Sequence, residues 1–185
     1  MLIARFGGGE LAKIAELEER YHITFPEEYR AFLVKYNGGF TPKTKFKKGR
    51  MASDLKGFYG IGKVKLSFDS LDMEKWLCLS MWPTACDSFG NLILTGLDQE
   101  RRGKIYFWDH ERGGALTLLG ADLSQFVSLC KSERISENAR RSIQEREAAL
   151  IQRGRGGVIT DALRKMWQDE LDKYGDMIQE ELILA

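Results

Sequence analysis

The 185-residue sequence is poor in the residues that most often carry catalysis, metal binding or covalent cross-links. It holds two histidines and three cysteines, Cys78, Cys86 and Cys130, and no two cysteines are in CxxC spacing. An odd number of widely spaced cysteines argues against a disulfide framework and favours reduced thiols in a cytoplasmic protein. No sequence motif implies a cofactor.

The sequence also has almost no net charge and no long apolar run. Its 28 Lys and Arg residues against 27 Asp and Glu residues give a formal charge of +1, so no global charge attracts the chain to nucleic acid or to a membrane surface. No apolar stretch is long enough to cross a bilayer, and the N-terminus has no apolar region typical of a signal peptide. The 43% hydrophobic and 30% charged residues that are present are typical of a folded globular protein.

Two helices are predicted near the N-terminus, and the second has the clearer signals. Pro26 suits a first helical turn because its missing N–H would have no partner there. Apolar side chains from Tyr29 to Tyr36 recur at helical spacing. Asn37, Gly38 and Gly39 then form a structural turn that ends the helix, because these residues tolerate a positive φ.

Residues 41–65 are strongly basic, with eight lysines and arginines against one acid, Asp54. Their weak periodicity predicts a mobile loop that leads into a short strand at 57–61. The charge leaves three interpretations open: a solvated loop, a docking surface whose charge speeds the encounter with an acidic partner, or a surface that follows a phosphate backbone. We rank nucleic acid last of the three.

The stretch TACDSFGN, residues 84–91, has the composition of a catalytic site. As a nucleophile, Cys86 would need a nearby base or a helix N-terminus to lower its pKa. The simpler interpretation is a turn, in which Asp87 bonds to the backbone two residues ahead. Gly90 takes a positive φ without steric cost, and Asn91 suits the same bend. We favour the turn and expect no catalytic residue here.

The stretch WDHE, residues 108–111, raises a second possibility, a base or a metal ligand at His110. A metal site would have to gather His110 with Asp87, Asp98, Asp109 and Glu111. Metal sites need several converging ligands, and adjacent residues of a strand point to opposite faces of the sheet. Asp109 and His110 therefore cannot both point inward within a strand, and we predict a solvated strand end without a metal.

The middle of the chain is predicted to form strands. Residues 76–82 are apolar enough for one strand, and residues 91–97 and 104–109 form a hairpin around a polar turn. Tyr106 and Trp108 share one face of the second hairpin strand. Such aromatic residues belong either to the core or to a binding surface, where they are favoured hot-spot residues.

The C-terminal third is predicted to be helical. One helix covers residues 136–152 with Ser136 as its N-cap, a glycine-rich break follows, and a second helix starts at about Thr160. Its apolar stripe, from Leu163 through Trp167 to Leu182, must be buried somewhere. It packs on its own chain or, as a sharper hypothesis, forms a homodimer.

The order of these segments resembles the SUKH superfamily, which includes fungal cell-wall-synthesis regulators and many bacterial immunity proteins. The resemblance runs from about residue 10 to residue 131. Four segments carry it, each in the family's order: FPEEYRAFLVKYNGG (25–39), GFYGIG (57–62), ACDSFGNLILTGLDQERRGKIYFWDHE (85–111) and DLSQFVSLC (122–130).

The resemblance implies an α+β fold with a mainly antiparallel sheet, helices packed against it, and no shared catalytic residues. It divides the chain into a SUKH-like domain at 1–131 and a helical extension at 132–185. It also implies a protein partner, which in bacterial members is often a toxin domain that the immunity protein neutralises by binding. The alternatives are a regulatory scaffold and a cysteine- or metal-dependent enzyme. The candidate partner-binding residues are Lys47, Lys48, Arg50, Asp87, Tyr106 and Trp108.

Overall fold

The computed structural model describes residues 1–184, which divide into two compact units. The first unit contains residues 1–133 and 180–184, and the second contains Arg134–Gln179. No helix in the described part of the chain has both the length and the apolar character needed to cross a membrane.

The first unit is built mainly from strands, with four helices. The strands are β1 (Leu2–Arg5), β2 (Gly39–Phe40), β3 (Thr44–Lys48), β4 (Met51–Asp54), β5 (Gly57–Phe58), β6 (Met81–Cys86), β7 (Leu92–Gly96), β8 (Ile105–Asp109), β9 (Ala115–Gly120), β10 (Cys130–Ser132) and β11 (Glu180–Glu181). The helices are α1 (Leu11–Arg20), α2 (Glu27–Tyr36), α3 (Met73–Cys78) and α4 (Leu123–Leu129). A 3-10 turn at Phe68–Ser70 precedes α3.

The strands form two antiparallel sheets. Eight strands make the larger sheet in the order β11-β1-β2-β5-β6-β7-β8-β9, and the order of the smaller sheet is β10-β3-β4. All the paired strands run antiparallel. The α+β fold predicted from the sequence is therefore confirmed.

The second helix forms as its sequence predicts. Pro26 is the N-cap residue, Glu27 and Glu28 occupy the first turn, and Asn37 ends the helix in the left-handed conformation with φ +46°. The Glu28 carboxylate also accepts hydrogen bonds from the backbone N–H groups of Leu123 (2.9 Å) and Ser124 (3.1 Å). Because these amides begin α4 and have no partner within that helix, Glu28 fixes α4 beside α2.

Helices α2 and α4 cover one face of the larger sheet. A row of directly opposed residues, which therefore share this face, crosses strands β5 to β8: Phe58, Ala85, Ile93 and Phe107. Phe32 of α2 lies 4.9 Å from Phe58 between ring centroids, and Phe126 of α4 lies 6.5 Å from it. These aromatic contacts form the centre of the core.

Two predictions about the middle of the chain are wrong. The basic segment is not a mobile loop, because β3 and β4 pair as a hairpin from Lys45 opposite Asp54 to Lys48 opposite Met51. The predicted strand at 76–82 is also wrong, since Trp76 lies in α3 and β6 begins only at Met81. A short helix followed by a strand gives an unbroken apolar run that periodicity alone cannot resolve.

The second unit is helical, with α5 (Ile143–Gln152) and α6 (Asp161–Tyr174) as its main elements and 3-10 turns at Glu137–Arg140 and Gly156–Val158. Ser136 caps the first 3-10 turn, while α5 starts later, at a capping box made by Ser142 and Glu145. The helix α6 begins close to the predicted start, and Thr160 is its N-cap. The predicted extension of this helix to Leu182 is wrong, because α6 ends at Tyr174.

The helix α6 buries only part of its predicted apolar stripe within the second unit. Trp167 is buried, with the Arg146 guanidinium 5.8 Å from its ring centroid, whereas Met166 is exposed. Arg146 is itself buried and forms an ion pair with Glu170 at 2.8 Å. The homodimer through these helices stays a prediction.

Candidate functional site

The turn at residues 87–91 closes around the carboxylate of Asp87. This side chain is only 2% exposed. Its Oδ1 accepts hydrogen bonds from the backbone N–H groups of Phe89 and Asn91, each at 2.9 Å, and its Oδ2 accepts from Nδ2 of Asn91 at 2.7 Å. Gly90 has φ +93°, a conformation that glycine adopts without strain. Residues 87–91 therefore form a tight turn around this carboxylate, which we call the Asp87 turn.

Two pairs of side chains join the Asp87 turn to the basic hairpin, which we define as β3, β4 and the residues between them (44–54). The Ser53 hydroxyl donates to Oδ2 of Asp87 at 2.8 Å. The backbone N–H of Ser88 donates to Oδ1 of Asp54 at 3.0 Å, and the Ser88 hydroxyl donates to Oδ2 of Asp54. The basic hairpin and the Asp87 turn, which are separated by more than 30 residues in the sequence, thus form one continuous surface.

The hydrogen-bond network continues from the Asp87 turn to His110. Oδ1 of Asn91 lies 3.1 Å from the backbone N and 2.8 Å from Nδ1 of His110. Because the amide oxygen of Asn91 can only accept, Nδ1 of His110 must carry the proton. Within residues 1–184, no three histidine, cysteine or carboxylate side chains come together in a group that could hold a metal ion.

Cys86 lies at the end of β6 in an environment that opposes nucleophilic chemistry. Its side chain is buried, and this burial raises the pKa of the thiol, although a hydrogen bond with Tyr59 and the nearby charge of Lys56 act in the opposite direction. A raised pKa keeps the sulfur protonated at neutral pH, whereas a nucleophile needs the thiolate. The burial of Cys86 therefore gives no support to the cysteine-dependent enzyme.

The structure assigns different environments to the three basic candidates of the hairpin. Lys47 is exposed on β3, and Arg50 is exposed in the turn that connects β3 to β4. The ammonium of Lys48 instead donates a 2.7 Å hydrogen bond to the backbone carbonyl of Leu119 in β9. Lys47 and Arg50 are therefore available to a partner, while Lys48 holds the hairpin against the larger sheet.

A groove of about 870 Å³ lies across the outer face of the smaller sheet and reaches the Asp87 turn. We call it the basic groove, because three of its four charged lining residues are lysines. Its lining includes Lys45, Lys47, Asp54, Phe89, Leu129 and Lys131. Its volume is within the range of ligand-binding clefts.

The aromatic candidates Tyr106 and Trp108 lie on the other face of the larger sheet. Phe107, between them in β8, packs on Phe46 of the basic hairpin, with ring centroids 5.9 Å apart. Because successive strand residues alternate between faces, Tyr106 and Trp108 point away from the hairpin. Trp108 contacts Trp76 of α3 edge-on, with 4.9 Å between ring centroids.

The predicted residues thus fall on two surfaces. Lys47, Arg50 and the Asp87 turn belong to the surface that contains the basic groove. Tyr106 and Trp108, both partly buried, belong to the opposite face, where Leu116 and Leu118 of the edge strand β9 are 40% and 44% exposed.

Comparison with known protein families gives one match. The SMI1 / KNR4 family (SUKH-1) matches residues 8–129, more than half of the chain. The chain belongs to this family. None of the curated proteins compared with the chain is a match. SUKH membership supports a non-enzymatic domain of the immunity or regulatory type, and SUKH domains generally bind protein partners.

The match to the SUKH family includes the turn residues and the basic hairpin but ends before the second unit. Asn37 accepts a hydrogen bond at its Oδ1 from the backbone N–H of Ile61, at 2.8 Å, so its side chain fixes the segment that follows β5. The SUKH match stops at residue 129, four residues before the first unit's main segment ends. The helical unit at Arg134–Gln179 is therefore an addition to the family domain.

Three residues of the basic groove were not predicted from the sequence as binding residues: Lys45, Phe89 and Lys131. The alternation of TKFKK over residues 44–48 could have placed Lys45 and Lys47 on one face, because every second residue of a strand shares a face. No local signal links Lys131 to them. It reaches this face only because β10 pairs with β3.

Proposed function

We propose that this chain is a bacterial immunity protein that binds a cognate toxin domain and neutralises it by covering the active site or substrate groove. The observation that carries the proposal is the continuous surface of the basic hairpin and the Asp87 turn on a domain of the SUKH family. A non-catalytic inhibitor needs only a preformed surface of complementary shape and charge. The proposed location is the cytoplasm, in keeping with three cysteines that form no disulfide in the described residues.

Several features support this surface as the binding site. The Asp87 turn is fixed by four hydrogen bonds to one carboxylate. The surface is therefore already ordered before a partner binds, which lowers the entropy cost of binding. Lys47 and Arg50 are exposed beside it. In this proposal Asp87 acts indirectly, by holding the turn in place, since its own carboxylate is buried.

A regulatory scaffold is the second candidate. The helical unit at Arg134–Gln179 lies outside the family match and gives the chain a second folded part. A scaffold would use such a part to hold a further partner. It would therefore bind several partners, each weakly, instead of one partner tightly.

The test has two stages. The tagged chain is first used to capture proteins from a lysate of the native host, and each captured protein is then expressed in a test strain with and without this chain. If the chain is an immunity protein, we expect one partner that is toxic when expressed alone and harmless when co-expressed with this chain. Several partners without toxicity would favour the scaffold, and a toxic partner that co-expression fails to neutralise would overturn the immunity proposal.

A further inference from the structure

The charge of the basic groove is unbalanced within the first unit. Lys45, Lys47 and Lys131 are exposed and form no ion pair in the described part of the chain. Asp54 stands opposite Lys45 in the strand register and is the one carboxylate of the groove lining, against three lysines. The groove therefore presents an excess of positive charge to an occupant.

Two of these lysines face each other directly. In the pairing of β10 with β3, Lys131 lies opposite Lys45. Like charges at directly opposed positions destabilise a sheet. An anionic group that binds between the two ammonium groups would relieve this repulsion.

An exposed apolar side chain lines the same groove. Phe89 is 69% exposed, although its backbone N–H is fixed by the Asp87 carboxylate at 2.9 Å. Leu129, half-buried, also lines the groove. A large exposed ring on a rigid turn is suited to pack against an apolar side chain of a partner.

The lining of the groove selects between two kinds of anionic partner. A nucleic acid strand binds through several aromatic rings that stack on its bases along a positively charged groove. The groove lining offers one exposed ring, Phe89, because its other aromatic residue, Phe46, is buried. An extended peptide instead places every second side chain on one face, so it can direct carboxylates at the lysines and an apolar side chain at Phe89.

We propose that the basic groove binds an acidic, extended segment of the protein partner, with carboxylates over Lys45, Lys47 and Lys131 and an apolar side chain against Phe89. This inference rests on the proposed function, because the segment is taken to belong to the toxin. The partner would therefore offer an acidic surface to a chain that is almost neutral overall.

The first test does not need the toxin. An array of short peptides with a central leucine and with glutamate, serine or lysine at the alternating positions is probed with the full chain. The groove predicts binding that increases with glutamate content and falls when the leucine is replaced by serine. Preference for the lysine peptides, absence of binding throughout, or tighter binding to a short oligothymidine would each overturn the proposal.

Variants then locate the binding site. Lys45→Glu, Lys47→Glu and Phe89→Ala should each weaken binding of the best glutamate peptide by about tenfold. Lys63→Glu makes the same charge change at an exposed lysine outside the groove lining and should leave binding unchanged. Equal weakening by Lys63→Glu would mean that only net charge is sensed, and the groove would be rejected. Circular dichroism of each variant confirms that the fold is kept.

The groove and the immunity function can fail separately. If the glutamate peptide binds the groove and capture finds no toxin, the immunity function fails and the groove stands. If a captured toxin is neutralised equally well by Lys45→Glu and Phe89→Ala, the immunity function stands and the groove is rejected.

Discussion

The hydroxyl of Ser53 donates a 2.8 Å hydrogen bond to the buried carboxylate of Asp87, and this bond joins the basic hairpin to the turn after β6. The same carboxylate holds the backbone amides of Phe89 and Asn91. The position of the exposed Phe89 ring therefore depends on an aspartate that a partner cannot reach. Substitutions at Asp87 should act on stability and on binding together.

Asp87→Ala should lower the free energy of unfolding by about 3 kcal/mol, because it leaves buried donors without an acceptor. Ser53→Ala is the matched control: it removes one donor and keeps the carboxylate, so it should cost about 1 kcal/mol. Urea unfolding followed by tryptophan fluorescence measures both. A loss for Asp87→Ala no larger than that for Ser53→Ala would show that the turn closes without the carboxylate.

The glycines Gly38 and Gly49 should differ in their response to alanine. Both have a positive φ, +77° and +60°. A Cβ at Gly38 would lie 2.7 Å from the backbone of Tyr59, whereas a Cβ at Gly49 would have no heavy atom of the described residues within 4 Å, apart from its own chain neighbours. Gly49→Ala should cost about 1 kcal/mol for its left-handed backbone. Gly38→Ala should cost about 3 kcal/mol or more because the steric clash is added. Equal losses in urea unfolding would contradict this assignment.

The three thiols should separate by reactivity. Cys78 is exposed, while Cys86 and Cys130 are buried, and burial raises the pKa of both, that of Cys130 to about 12. A disulfide reagent at mildly alkaline pH should modify one thiol of the native protein, with the other two reacting only after unfolding. Cys78→Ser should remove the fast reaction. Rapid modification of Cys86 in that variant would reopen the hypothesis of a cysteine-dependent enzyme.

The buried thiols also give the stability a pH dependence. Their pKa values are raised in the folded state, so the unfolded chain loses these protons first as the pH rises. Their contribution is present in full below the unfolded pKa of about 8.5 and is lost as the pH rises through the folded values. The free energy of unfolding should fall above that pH, and Cys130→Ala should flatten the fall. Parallel curves for the two proteins would refute the attribution to Cys130.

The sequence predicted those parts of the fold whose determinants are local. Pro26 and Asn37 bound α2, and Asp87 and Gly90 shape their turn, through chemistry contained in a few neighbouring residues. The basic hairpin was missed because five residues rich in lysine give little evidence of a strand. The strand β10, which pairs with the other side of β3, comes more than 80 residues after it. The sequence could not show that Tyr106 lies on the sheet face opposite the basic hairpin. That placement follows from the packing of Phe107 on Phe46, a contact between segments that are distant in the sequence.

The opposed lysines give the last prediction, in which stability and binding change in opposite directions. Lys131→Glu places opposite charges across from each other and should raise the free energy of unfolding by about 0.5 kcal/mol at low salt. High salt should remove most of this gain, because both side chains are exposed.

Lys63→Glu, which has no opposed lysine, is the control and should change stability little. The same Lys131→Glu variant should bind the glutamate peptide more weakly. Opposite effects on stability and on binding are expected of a residue that serves binding at some cost to stability. If Lys131→Glu leaves both stability and peptide binding unchanged, the lysines do not form an anion-binding site.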